Sequence, residues 1–216
     1  MIEFKLNEKE YKVPASFNEL TFGEYCRIFD GLADTSGLEG YEKFRKVKEN
    51  QATVVSRLMG EADDFALNLP LTLFAELSDA TSFIFGIDIV KPHNSIVIDG
   101  VTYMVPKPDK FSLRQWIDAD MTIQEKSENK YIELLAILLL PLKEDGEFGK
   151  YTGEYQKMAD KLRGMPCSEC LGIVSFFLRK GLLLSRLTSI SLKAKALANL
   201  FLQNIQSLSK TSTGSI

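Results

Sequence analysis

Cysteine, histidine and tryptophan are scarce in this chain: three, one and one in 216 residues. Three thiols and a single imidazole leave little material for a metal cluster or a disulfide framework, and they suit a reducing compartment better than a secreted one. Long apolar runs are also missing. The longest spans Leu134 to Leu140, and the stretch from Leu171 to Leu187 is interrupted by Arg179 and Lys180, so neither reads as a bilayer span. The amino terminus carries Glu3 and no apolar run, which predicts no secretory signal and synthesis in the cytosol. What is present, 45% hydrophobic and 25% charged residues, is the ordinary composition of a folded globular protein.

The motifs that could carry chemistry fail on spacing or context. Cys167 and Cys170 form a CxxC, but a thioredoxin-like pair follows a strand, whereas here a helical pattern, Gly164 and Pro166 precede it. A zinc site would need Cys26 and His93 as well, with no second CxxC to help. Two cysteines in helical phase beside Leu171 and Val174 read as packed thiols. The run from Gly146 to Thr152 places its glycines and Lys150 at the wrong spacing for a phosphate loop. His93 shows no partner with triad geometry in sequence, and Asp118 and Asp120, two apart, point to different helix faces. No catalytic, cofactor-binding or metal-binding residue is assigned, and a non-enzymatic protein is expected.

The strongest signal is internal similarity. Phe4 to Pro14 aligns without a gap to Ile96 to Pro106, each copy an alternating strand, a two-residue polar turn and a second strand closing in Tyr-x-Val-Pro. The turns are Asn7-Glu8 and Asp99-Gly100. A type I′ turn needs positive φ at both central residues, which glycine takes freely, asparagine tolerates and glutamate resists. One residue closer to the proline exit in the second copy, two helix starts match: Leu20-Thr21-Phe22-Gly23-Glu24-Tyr25 and Phe111-Ser112-Leu113-Arg114-Gln115-Trp116. Each is a capping box, Thr21 with Glu24 and Ser112 with Gln115, inside a hydrophobic staple, Leu20 with Tyr25 and Phe111 with Trp116.

Further helices are predicted at Phe22 to Leu32, Tyr41 to Met59, from Pro70 to Phe85, from a third capping box at Thr122 and Glu125 to Pro141, and at Gly153 to Leu162, Cys167 to Leu184 and Ser191 to Leu208. The expected fold is mainly α with two small β-hairpins, an internally duplicated hairpin-plus-helix unit in a helical bundle. Residues 1–92 would hold the first unit, and 93–216 the second with extra basic helices.

Charge is distributed unevenly. From Lys161 onward eight Lys or Arg face Glu169 alone, giving +7, and the preceding residues hold 18 basic and 28 acidic groups, giving −10. Such a split can steer self-association or an acidic partner, and it can equally be a set of solvated helix faces. The last predicted helix joins the two signals. Ile190, Ala194, Leu197, Phe201, Ile205 and Leu208 form an apolar stripe beside Lys193 and Lys195, the pattern of a helix docked on its own core or on a partner. Lys193, Lys195, Leu197, Phe201 and Ile205 are the candidate partner-binding residues. Nucleic acid and membrane are not expected as partners.

The order of features, a hairpin closing in Tyr-x-Val-Pro, the stapled Leu-Thr-Phe-x-Glu-Tyr helix, then Tyr131-Ile132-Glu133-Leu134-Leu135-Ala136 and Ser175-Phe176-Phe177-Leu178, resembles small proteins from the morphogenesis modules of tailed bacteriophages. It is most similar to the helix-rich tail assembly chaperones. The resemblance implies a protein of the host cytoplasm during assembly, or of the virion, that binds the tail tube or tape measure protein, or itself, and shields aggregation-prone surfaces. The duplicated hairpin departs from the family's single unit and leaves open a structural connector, neck or baseplate part. No site residue is carried over.

Overall fold

The computed structural model describes residues 1–85, 90–107, 110–124 and 129–184. These residues hold seven α-helices, short 3-10 turns and two small antiparallel sheets, a mainly helical fold with hairpins. They form two compact units: residues 1–20 with 28–85, and Thr21–Arg27 with the described residues from 90 onward.

Both hairpins form where alternation and turn residues place them. β1 (Ile2–Leu6) pairs with β2 (Lys9–Val13), Phe4 opposite Tyr11 and Leu6 opposite Lys9, and the two rings stack at 5.4 Å. β3 (Ser95–Ile98) pairs with β4 (Val101–Met104), Ile96 opposite Tyr103 and Ile98 opposite Val101, the same register about the turn. The turns take the left-handed backbone required: φ is 47° and 66° at Asn7 and Glu8, 51° and 77° at Asp99 and Gly100. Glu8 therefore sits where a side chain is strained, and Gly100 where it is not.

The capping signals differ in outcome. At α1 (Phe22–Phe29) the box is complete: the Thr21 amide donates to Glu24 Oε2 at 2.8 Å, and the Glu24 amide to Thr21 Oγ1 at 3.2 Å. The first turns of α1 pack within the second unit, where the Phe22 amide donates to the Met165 carbonyl at 2.9 Å and Thr21 bridges to Pro166.

In the first unit, α2 (Gly40–Leu58) buries Val47, Val54, Val55 and Leu58. Arg57 near its end holds Asp63 through two contacts of 2.7 Å and donates to the Ile28 and Asp30 carbonyls. Those carbonyls sit at the close of α1, where helix geometry leaves acceptors without intrahelical donors. Ser56 Oγ donates to Ala52 O and accepts from the Ala66 amide, each at 2.9 Å, fixing the 3-10 turn Phe65–Asn68 against the helix. α3 (Leu71–Ala80) follows Pro70 but stops short of the predicted Phe85. Thr81 Oγ1 donates back to Leu77 O at 2.7 Å, and Ser82–Phe85 tightens into a 3-10 turn that sets Phe83 edge-on to Phe17 at 5.2 Å.

In the second unit, α4 (Leu113–Gln124) runs through Thr122, which is buried inside it, so the third predicted helix start is wrong. The helical pattern begun at Ser112 carries on through Thr122 with no glycine or proline to stop it. α5 (Lys130–Leu138) begins after Asn129 and ends three residues before Pro141, because the residue ahead of a proline is driven out of the α region. β5 (Leu140–Pro141) then adds a third strand beside β4, a strand the sequence reading missed. α6 (Tyr155–Gly164) starts two residues later than predicted, after Gly153 at φ 87°. α7 (Cys167–Leu184) matches its predicted span. Ala119, Leu134, Ile137 and Leu138 form the core between α4 and α5, with Val105, Phe111, Ile123, Tyr151 and Tyr155 against it.

Candidate interaction surface

α4 is built the wrong way round for a surface helix. Its fully buried residues are Gln115, Ala119 and Thr122, with Ile123 packed beside them, and three of its large apolar residues point outward: Leu113 is 76% exposed, Ile117 49% and Met121 57%. The polar inward side has a local cause. α5 ends with carbonyls that no intrahelical amide reaches, and Gln115 Nε2 donates to one of them, Ile137 O, at 2.7 Å. That demand takes Gln115 away from its predicted cap. The Gln115 amide still accepts capping by donating to Ser112 Oγ at 3.1 Å, but its side chain lies 1% exposed in the core, so only half of the second capping box forms. The staple beside it holds, with Phe111 and Trp116 edge-to-face at 5.3 Å. Leu113, Ile117 and Met121 follow at intervals of four, a single ridge along the helix.

A second exposed group lies on the opening turns of α2. Tyr41 is 79% exposed and Phe44 53%, with Lys48 Nζ over the Phe44 ring at 5.8 Å. Between Tyr41 and Lys48 stand Lys43, Arg45, Lys46 and Lys48 against Glu42. Arg45 and Lys46 both reach Glu49, each at 2.8 Å.

The chemistry-bearing residues are occupied structurally. Cys26, Cys167 and Cys170 are all free thiols and buried. Cys167 and Cys170 lie in the first turn of α7, where the helix dipole would favour a thiolate. Burial outweighs it: desolvation pushes Cys26 and Cys167 far above the ordinary thiol range, and Cys170 up to about 12. Asp118 accepts from the Tyr151 hydroxyl at 2.8 Å, and Asp120 from Gln124 Nε2 at 3.1 Å. Burial first, and that bond second, raise the Tyr151 phenol well above its usual value. The glycine-bearing loop before Tyr151 spends its amides on itself. Gly146 donates to Lys143 O at 3.0 Å and Gly149 to Pro141 O at 2.8 Å.

His93 does have a partner that sequence could not reveal. Its Nδ1 lies 2.8 Å from Ser95 O, its amide donates to Gly172 O at 3.2 Å, and its Nε2 stands 3.7 Å from Glu169 Oε2. Gly172 is what lets the ring sit there, since a Cβ at that position would overlap the imidazole. The arrangement clasps the start of β3 to α7, and among the described residues no third His, Cys, Asp or Glu joins it. Among the described residues no group of three His, Cys, Asp or Glu could hold a metal ion, and no helix is long and apolar enough to cross a membrane.

The sequence-predicted partner-binding residues Lys193, Lys195, Leu197, Phe201 and Ile205 lie outside the described residues. The α4 ridge went unpredicted, although the interval of four was present in sequence. Compared with known proteins, the chain matches no family model, no curated protein and no solved structure.

Proposed function

We propose that the chain is a non-enzymatic assembly factor of tailed-bacteriophage morphogenesis, acting as a tail assembly chaperone in the host cytoplasm. The observation that carries this reading is the outward ridge of Leu113, Ile117 and Met121 on a helix whose opposite side buries Gln115 and Ala119. Aliphatic side chains held in water on a rigid element serve binding rather than folding. Each releases roughly 1.5 to 3 kcal/mol on full burial, less the part already covered. The sequence resemblance supplies the partner class, the tail tube or tape measure protein. The basic segment with Lys193, Lys195, Leu197, Phe201 and Ile205 would make a second contact, toward an acidic surface.

Internal duplication of a hairpin-plus-helix unit belongs to the same reading, supported by the equal hairpin registers and the two cap-and-staple starts. A second reading, a structural connector, neck or baseplate part, is favoured by the duplicated hairpin. Capture of the tagged full chain from cells producing virions, followed by mass spectrometry, separates them. A tube or tape measure protein supports the chaperone, a portal or baseplate complex supports the structural part, and recovery of no virion protein refutes both.

A further inference from the structure

We propose that the outward ridge of α4 is covered by the aromatic opening turns of α2 from a second copy of this chain. This goes beyond the reading above and stands on the two helix faces alone.

Three features select a second copy as the occupant. The faces differ in sign. The α2 turns from Tyr41 to Glu49 carry four cations to two carboxylates, with Arg45 and Lys46 sharing Glu49, and α4 carries Asp118 and Asp120 to Arg114. A pairing of α2 faces would set cations against cations, whereas α2 on α4 sets them against carboxylates. The side-chain types are complementary as well. Tyr41, Phe44 and Arg45 are of the kinds that anchor protein interfaces, and an aliphatic ridge ending in Met121 is a surface on which rings settle, thioether against ring edge included.

The areas also match. At 150 to 250 Å² per large side chain, the exposed parts of Tyr41 and Phe44 and of Leu113, Ile117 and Met121 total roughly 600 Å². With charged stems at the rim the contact would approach the roughly 1,000 Å² below which interfaces are weak and transient. Such a contact is weak and reversible, suited to a surface that is later released to another protein. Because the two faces are different, each contact uses α2 of one copy and α4 of the other.

The test uses the purified full chain in sedimentation equilibrium from roughly 5 to 200 µM, the range in which an interface of this size populates. The wild type should rise in mass above the 24.3 kDa monomer as concentration increases. Ile117→Asp and Tyr41→Asp, both at exposed positions, should each weaken association at least tenfold. Mixed together they should form a species of two chains and no larger, since each variant retains the face the other has lost. Leu113→Glu repeats the α4 arm should Ile117→Asp lose the wild-type circular dichroism spectrum. A wild type that stays monomeric at the top of the range overturns the proposal. So does wild-type association in either variant, or a mixture that stays monomeric. If loss of the α4 face alone abolishes association, the ridge pairs with something other than α2, and the assignment falls. Capture of tail proteins in the preceding experiment is unaffected by any of these results.

Discussion

Replacing Glu8 by glycine should stabilise the first hairpin, and replacing Gly100 by alanine should destabilise the second by a similar amount. Both residues hold the second position of a two-residue turn, at φ 66° and 77°. A non-glycine residue there costs about 1 to 2 kcal/mol from Cβ against backbone. Glycine relieves that cost but adds about 0.5 to 1 kcal/mol of backbone entropy lost on folding. The net gain for Glu8→Gly is about 0.5 to 1 kcal/mol. At Gly100 a Cβ would meet nothing within 4 Å, so the reverse change carries the backbone term alone. Native-state amide exchange across the β1–β2 and β3–β4 ladders reads each hairpin separately. The expected effect is roughly two- to fivefold slower exchange in the first ladder and faster exchange in the second. Glu8→Ala is the control that removes charge and keeps the Cβ, and it should leave exchange near wild type. If Glu8→Ala slows exchange as much as Glu8→Gly, charge and not backbone strain governs the turn, and the reasoning fails.

Three further outcomes follow from the packing. Gln115→Ala should cost about 2 to 3 kcal/mol in urea denaturation, because it leaves the buried Ile137 carbonyl without its donor and opens a cavity; a loss under 0.5 kcal/mol would show that water replaces the amide. Gly23→Ala should cost about 1 to 3 kcal/mol, since a Cβ there overlaps Arg163 Cγ and comes within 3.0 Å of its carbonyl oxygen, and the loss should show as faster exchange at the Phe22 amide. The Glu61 carboxyl is held below its ordinary value of 4.5, first by Lys9 and then by the Tyr11 hydroxyl. A depressed folded value means the contribution is complete above the unfolded value and is lost as pH falls through the folded one. Glu61→Gln should therefore lower the melting temperature in the neutral range and flatten the acid limb below pH 4.5, the two proteins converging at low pH, whereas an unchanged acid limb would remove Glu61 from the account.

Local signals carried most of what was legible in the sequence. The hairpins declared themselves because alternation fixes the faces and the turn residues fix the register within a few positions. The Thr21 cap was legible for the same reason, as all its partners lie within three residues. Contacts set by distant residues were not. Nothing near Gln115 announces that Ile137 will need a donor, so a sound capping box came out half formed. Nothing near His93 announces a glycine at Gly172 across the fold. The two-residue strand Leu140–Pro141 exists only because β4 offers an edge beside it, and a run of leucines gave no sign of it.

The α4 ridge shows why a pattern that locates a helix does not settle which of its faces is buried. Periodicity reports that one side of a helix is apolar and leaves the destination of that side open. Inward burial is the usual destination because a soluble chain gains most from covering its own aliphatic groups. In α4 the side packed on α5 is filled by Ala119, Thr122, Ile123 and a hydrogen-bonding Gln115. Leu113, Ile117 and Met121 are left on the far side, where folding the chain does nothing to remove them from water. A helix that leaves three large aliphatic side chains in a row out of its own core has an energetic reason to associate, and that reason depends on no identification of the partner.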